Sequence, residues 1–100
     1  MAMSDELYIF ARFHARPGHA EAVAAAIRAV LPPSAAEAGC LAIGAYRATR
    51  DPDLFYIQSR WVDEAAFDHH AALPHTVQFI GTVEKLIDHP LDIARSLPFV

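Results

Sequence analysis

Cysteine occurs once in this 100-residue chain, at Cys40, and lysine once, at Lys85. A single cysteine closes no disulfide within the chain, so a disulfide-stapled secreted scaffold is excluded and Cys40 reads as a small hydrophobe. Eight Lys+Arg stand against 12 Asp+Glu, a formal charge of −4, and the arginines are scattered. No basic stripe is available for a phosphate backbone to follow, so nucleic acid is not an expected partner. Long apolar runs are missing too. The stretch from Ala20 to Leu31 is broken by Glu21 and Arg28, well short of the roughly 18 apolar residues a membrane span requires. The first residues, Met1 to Glu6, are acidic and lack the basic-then-apolar order of a secretory leader. A cytoplasmic protein with no membrane partner is the expectation. Gly-rich phosphate loops, a nucleophile elbow and paired catalytic carboxylates are also absent.

What is present suits one core. Hydrophobic residues make up 54% of the chain; 20 of them are alanine, and Leu, Ile, Val and Phe together number 27. That exceeds the roughly 20% floor below which chains stay disordered. The length fits a single domain, 1–100, with its core over about 6–97.

Period-two alternation over Glu6–Ala15 predicts a strand, with Leu7, Ile9, Ala11 and Phe13 on one face and Tyr8, Phe10, Arg12 and His14 on the other. Pro17-Gly18 ends it. Val23, Ile27, Val30 and Leu31 then form a helical stripe, which Pro32-Pro33 is expected to stop. Leu41, Ile43 and Ala45 alternate with Ala42, Gly44 and Tyr46 as a second strand. The turn Thr49–Asp53 leads into a third over Leu54–Val62. Asp63 is placed to cap a helix through Phe67 to Ala72, Pro74 interrupts it, and Phe79, Ile80, Val83, Leu86 and Ile87 continue at helical spacing. Leu91 and Ile93 suggest a last strand. The order βαββαβ predicts an α+β, ferredoxin-like antiparallel sheet with helices on one face.

Such a sheet leaves its other face open. Here that face carries Tyr8, Phe10, Tyr46, Leu54 and Tyr56, a patch more naturally covered than left wet. With the helices already used, a second copy of the chain is the expected cover, in an isologous homodimer.

Phe10-Ala11-Arg12-Phe13 followed by Arg16-Pro17-Gly18, then Ala38-Gly39-Cys40-Leu41, Asp51-Pro52, Trp61-Val62-Asp63, and His70 with His75 resemble the antibiotic biosynthesis monooxygenase family over residues 6–90. The resemblance implies a dimeric α+β barrel. It also implies a monooxygenase that oxidises phenols, anthrones or quinols with molecular oxygen and needs no flavin, haem or metal. Family members commonly carry a glutamate two residues before the tryptophan, where this chain has Ser59. Haem-degrading relatives use an asparagine where this chain has Ala11, which makes haem degradation the weaker alternative. A non-catalytic ligand-binding or stress-response dimer is the other.

For the enzyme, a dry slot, a base and donors for the substrate anion are needed. Phe55, Ile57, Ser59, Trp61, Phe67 and Phe79 are the expected slot residues, holding a small hydrophobic aromatic substrate and O2. Imidazole suits the base. His75, fixed by Pro74 at a helix start that disfavours a cation, is the first choice and His70 the second. Adjacent His69 points about 100° away and reads as solvated; His14 and His19 read as surface residues. A metal needs three or four converging ligands. No cysteine or paired carboxylate accompanies His70 and His75, so neither metal nor cofactor is expected.

Overall fold

The computed structural model describes residues 6–100; the reading of Met1 to Glu6 as lacking a leader falls, apart from Glu6, outside the described residues. The chain forms β1 (Leu7–His14), α1 (Ala20–Ala35), β2 (Cys40–Arg47), β3 (Leu54–Trp61), α2 (Glu64–Ala72), α3 (Pro74–Val83) and β4 (Asp92–Ser96). The strands make one antiparallel sheet in the order β2-β3-β1-β4. This is the α+β ferredoxin-like arrangement. No helix among the described residues is long and apolar enough to cross a membrane.

Local chemistry accounts for most element ends. Gly18 takes φ 82° in the turn after β1, a region where a Cβ is penalised. The Asp63 side chain accepts a 2.8 Å hydrogen bond from the Ala66 N–H and caps α2. Leu73 is extended (φ −73°, ψ 148°), as the residue before a proline prefers, and Pro74 opens α3 at a position that needs no N–H donor.

One expectation fails in an informative way. Pro32 and Pro33 do not stop α1, which runs on to Ala35. Their missing N–H groups strip partners from the carbonyls of Arg28 and Ala29, but both residues are exposed, so water can replace the lost bonds. The buried stripe Val23, Ile27, Val30 continues to Ser34, which is wholly buried. The packing of that last turn outweighs the local cost. A second departure is a register shift in β2 between Cys40, opposite Trp61, and Ala42, opposite Arg60; it leaves Leu41 as the extra residue.

Leu7, Ile9, Ala11 and Phe13 of β1 and Phe55, Ile57, Ser59 and Trp61 of β3 are all buried under the helices. Their neighbours face away: Phe10, Tyr46 and Tyr56 are 51%, 59% and 39% exposed. The core has two parts. Phe13, Phe55, Phe79, Val23 and Ile27 anchor the larger, while Leu7, Ile9, Trp61 and Phe67 form the smaller.

Candidate active site

Between the helix-bearing face of the sheet and the three helices lies a cleft of about 350 Å³. That is within the range of small-molecule sites. Ile9, Ala11 and Ile57 make its apolar floor, and Ser34, Ser59, His70 and Thr76 supply polar atoms. Leu91, Ile93 and Arg95 close one side. Arg95 pins this edge to α2: its guanidinium bonds Glu64 at 2.9 Å and Asp68 at 2.8 Å and lies 4.9 Å from the Phe67 ring centre.

The expected slot residues divide. Ile57, Ser59 and Phe67 lie on the cleft wall, beside His70, the second-choice base; Phe55, Phe79 and Trp61 do not. Four steps along the strand separate Phe55 from Ser59, about 13 Å at the rise of an extended chain. Phe55 therefore belongs to the far half of the core, as does Phe79, whose ring meets Phe13 edge-on at 5.6 Å. Trp61 sits behind the wall, fully buried, with its ring centre 4.5 Å from His70 and 5.7 Å from Phe67. Its indole N–H donates to Ser59 Oγ at 2.9 Å, so that serine serves the tryptophan.

His70 and His75 come together across Pro74 on a residue the sequence reading did not single out. Glu37 Oε2 accepts from His70 Nδ1 at 2.6 Å and from His75 Nε2 at 2.7 Å. Thr76 Oγ1 lies 3.2 Å from the same His70 nitrogen. The absence of a companion carboxylate, on which the expectation of no metal rested, is therefore corrected: Glu37 completes a three-residue cluster. Its place follows from the uninterrupted α1. Glu37 lies seven residues after Val30 and three after Ser34, on the extension of the buried stripe, and its N–H still bonds the Ser34 carbonyl at 3.2 Å. A helix ended at Pro32 hides that signal.

With Nδ1–H of His70 given to a carboxylate, Nε2 is the ring's remaining acceptor. His75 opens on a different depression, between α1 and α3. His69 is exposed, as expected of the outward member of the pair. Cys40 stays a thiol, because burial pushes its pKa up and the Glu37 charge adds to the effect. His14 is less free than a surface reading implies. Its two ring nitrogens face Asp88 at 2.7 Å and Asp51 at 3.1 Å, and the Asp88 bond foremost raises its pKa.

The family profile for antibiotic biosynthesis monooxygenase matches residues 7–82. The chain belongs to that family. A Pseudomonas aeruginosa member of the same fold, PA3566, superposes with a TM-score of 0.89 at 35% identity, covering 100% of both chains. The Mycobacterium tuberculosis protein named "Putative monooxygenase Rv0793" is 27% identical over 96 residues, 96% of this chain and 94% of its own. Its structure superposes with a TM-score of 0.89 over 95% of this chain and 96% of its own, at 26% identity. A Nitrosomonas europaea structure at 15% identity, covering 99% of this chain and 95% of its own, superposes at 0.90 and shows the shared fold. The matched antibiotic biosynthesis monooxygenase segment contains Glu37, Trp61, His70 and His75, while the cleft wall from β4 lies beyond it.

Proposed function

We propose that this antibiotic biosynthesis monooxygenase domain oxidises a small aromatic phenol or quinol with O2 and no cofactor, using His70 as the proton acceptor. The observation that carries the reading is the His70 ring on the wall of a mostly apolar cleft, held through Nδ1 by Glu37. A carboxylate in that position orients the ring and stabilises the imidazolium formed when Nε2 takes a proton. The order of the two histidines is thus reversed from the one sequence suggests, because His75 opens on the other depression. His75 steadies Glu37 from behind.

In the proposed reaction Nε2 removes a proton from the substrate, leaving an electron-rich anion. The anion passes one electron to O2, and the radical pair joins at carbon. The imidazolium returns its proton to give a hydroperoxide. Loss of water then leaves a carbonyl in the product, so one oxygen atom is retained and the other departs as water. The protein supplies the proton acceptor, exclusion of water and polar contacts from Ser34, Ser59 and Thr76.

The exposed aromatic face of the sheet supports a homodimer through Tyr8, Phe10 and Tyr56. The decisive experiment is oxygen uptake on a reduced naphthoquinol in the presence of chelator, with haemin in parallel. Uptake that falls about 10²–10⁴-fold in His70→Gln, with KM little changed, supports the reading. A haemin Soret shift followed by bleaching with reductant points instead to haem degradation. Silence on both leaves a ligand-binding dimer.

A further inference from the structure

We propose that Glu37, His70 and His75 form a binding site for a divalent transition ion of the zinc type, and that the ion and the proton-acceptor role of His70 exclude one another. The donors are His70 Nδ1, His75 Nε2 and the Glu37 carboxylate, all within 4.8 Å of one another. Two imidazoles and one carboxylate are a borderline-soft set suited to such ions, and three protein ligands leave a position for water. The Glu37 side chain is only 9% exposed. Among the described residues its hydrogen-bonding partners are these two imidazoles, both on Oε2, while Oε1 is buried with no partner. A buried carboxylate oxygen left bare is costly, and a cation between the three side chains satisfies it when the carboxylate chelates through both oxygens or turns about its last torsion to present Oε1.

Geometry permits this with a small movement. Tetrahedral bonds of about 2.0–2.1 Å place donors about 3.3 Å apart. The present separations of 2.6 and 2.7 Å then widen by roughly 0.7 Å, within the reach of a χ rotation in each ring. His75, one-quarter exposed, gives the ion its way in. The exclusion follows from proton counting. A neutral His70 ring carries one proton, on Nδ1, where the ion binds; binding moves that proton to Nε2, which then donates and no longer accepts. No redox step is involved.

The site is the one proposed above for proton abstraction, so the test does not depend on turnover. Equilibrium dialysis of the untagged full chain against Zn2+ should show one ion per chain, weakened at least 10-fold in Glu37→Gln and in His75→Gln. His14→Gln should bind as the parent does, because His14, Asp51 and Asp53 form a separate cluster among the described residues. No saturable binding, or binding kept in Glu37→Gln or in His75→Gln, overturns the proposal, and loss in His14→Gln assigns the ion to the His14 cluster instead. Should Glu37→Gln not fold, zinc-edge X-ray absorption on the parent chain decides. Two imidazole nitrogens and a carboxylate oxygen at about 2.0–2.2 Å support the site, and a shell without imidazole refutes it. If a quinol proves to be turned over, Zn2+ should inhibit in proportion to its occupancy. Full turnover at full occupancy overturns the exclusion.

Discussion

Gly39, just before β2, packs against Ala66 of α2, and replacing it by alanine tests how α2 is held. A Cβ built at Gly39 falls 2.5 Å from the Ala66 Cβ, against about 3.5–4.0 Å for carbon atoms in contact. Neither atom belongs to a flexible side chain, so α2 or the chain at Gly39 must retreat by about 1–1.5 Å. Overpacking of this kind costs about 1–3 kcal/mol, or about 5–15 °C in Tm for a domain of this size. Ala66→Gly removes the opposing atom at a helix-propensity cost of up to about 1 kcal/mol. With it gone, the nearest remaining neighbours, Ala66 Cα and Val62 Cγ2, lie at 3.6 Å, ordinary contact. The double variant Gly39→Ala/Ala66→Gly should therefore be about as stable as Ala66→Gly alone, a coupling of about 1–3 kcal/mol in the double-mutant cycle. Urea unfolding at fixed protein concentration, followed by the fluorescence of the single tryptophan, Trp61, and by far-ultraviolet circular dichroism, measures all four proteins. A Gly39→Ala chain within about 0.5 kcal/mol of the parent, or strictly additive effects, would mean that the two Cβ positions do not clash. Because α2 carries His70, the same clash should disturb the contact with Glu37.

Sedimentation of the parent chain at micromolar concentration should give about 22 kDa, twice the 11.0 kDa of one chain. Phe10→Glu should shift it to monomer by burying an unpaired charge at the contact; a monomeric parent removes the barrel. Ser59→Ala should cost about 1–3 kcal/mol by leaving the buried Trp61 N–H without its acceptor, and Ser59→Ala/Trp61→Phe should be less than additive. Equal costs in both backgrounds would mean that the bond contributes nothing. The His14–Asp88 pair sets a pH window. The raised pKa of His14 means its contribution is complete below the ordinary histidine value and lost as pH rises through the raised one. The lowered pKa of Asp88, held down first by the His14 bond, means its contribution is present above the ordinary carboxylate value and lost as pH falls through the lowered one. Unfolding of His14→Gln against the parent across pH should show a difference confined to that window; a pH-independent difference contradicts the assignment.

Alternation was enough to assign the faces of β1 and β3, because a period of two leaves no choice about which side chains lie together once one face is buried. Asp63 and Pro74 likewise marked the starts of α2 and α3 through hydrogen bonding that is local in the chain. The aromatic residues of the open face were legible for the same reason. Ser59 and Ile57 followed from their places on β3, and so reached the cleft wall.

Glu37 was not legible, because its role depends on how two local costs at Pro32 and Pro33 compare with the burial of Ser34 and the turn around it. That comparison involves contacts between α1 and elements distant in sequence, which no local rule contains. The same holds for the division of the aromatics. Pattern alone puts Phe55, Trp61 and Phe79 in one slot as members of a buried set, yet burial does not say which cavity a side chain meets. Strand rise places Phe55 and Ser59 at different depths of the core, and the crossing of α2 over β3 puts His70 between Trp61 and the cleft. The elements, the two faces of the sheet and the types of side chain available for chemistry are thus matters of local pattern. That His70 and His75, 33 and 38 positions along the chain from Glu37, meet on one of its carboxylate oxygens is a matter of packing, since side-chain convergence is set by how whole elements lie against one another.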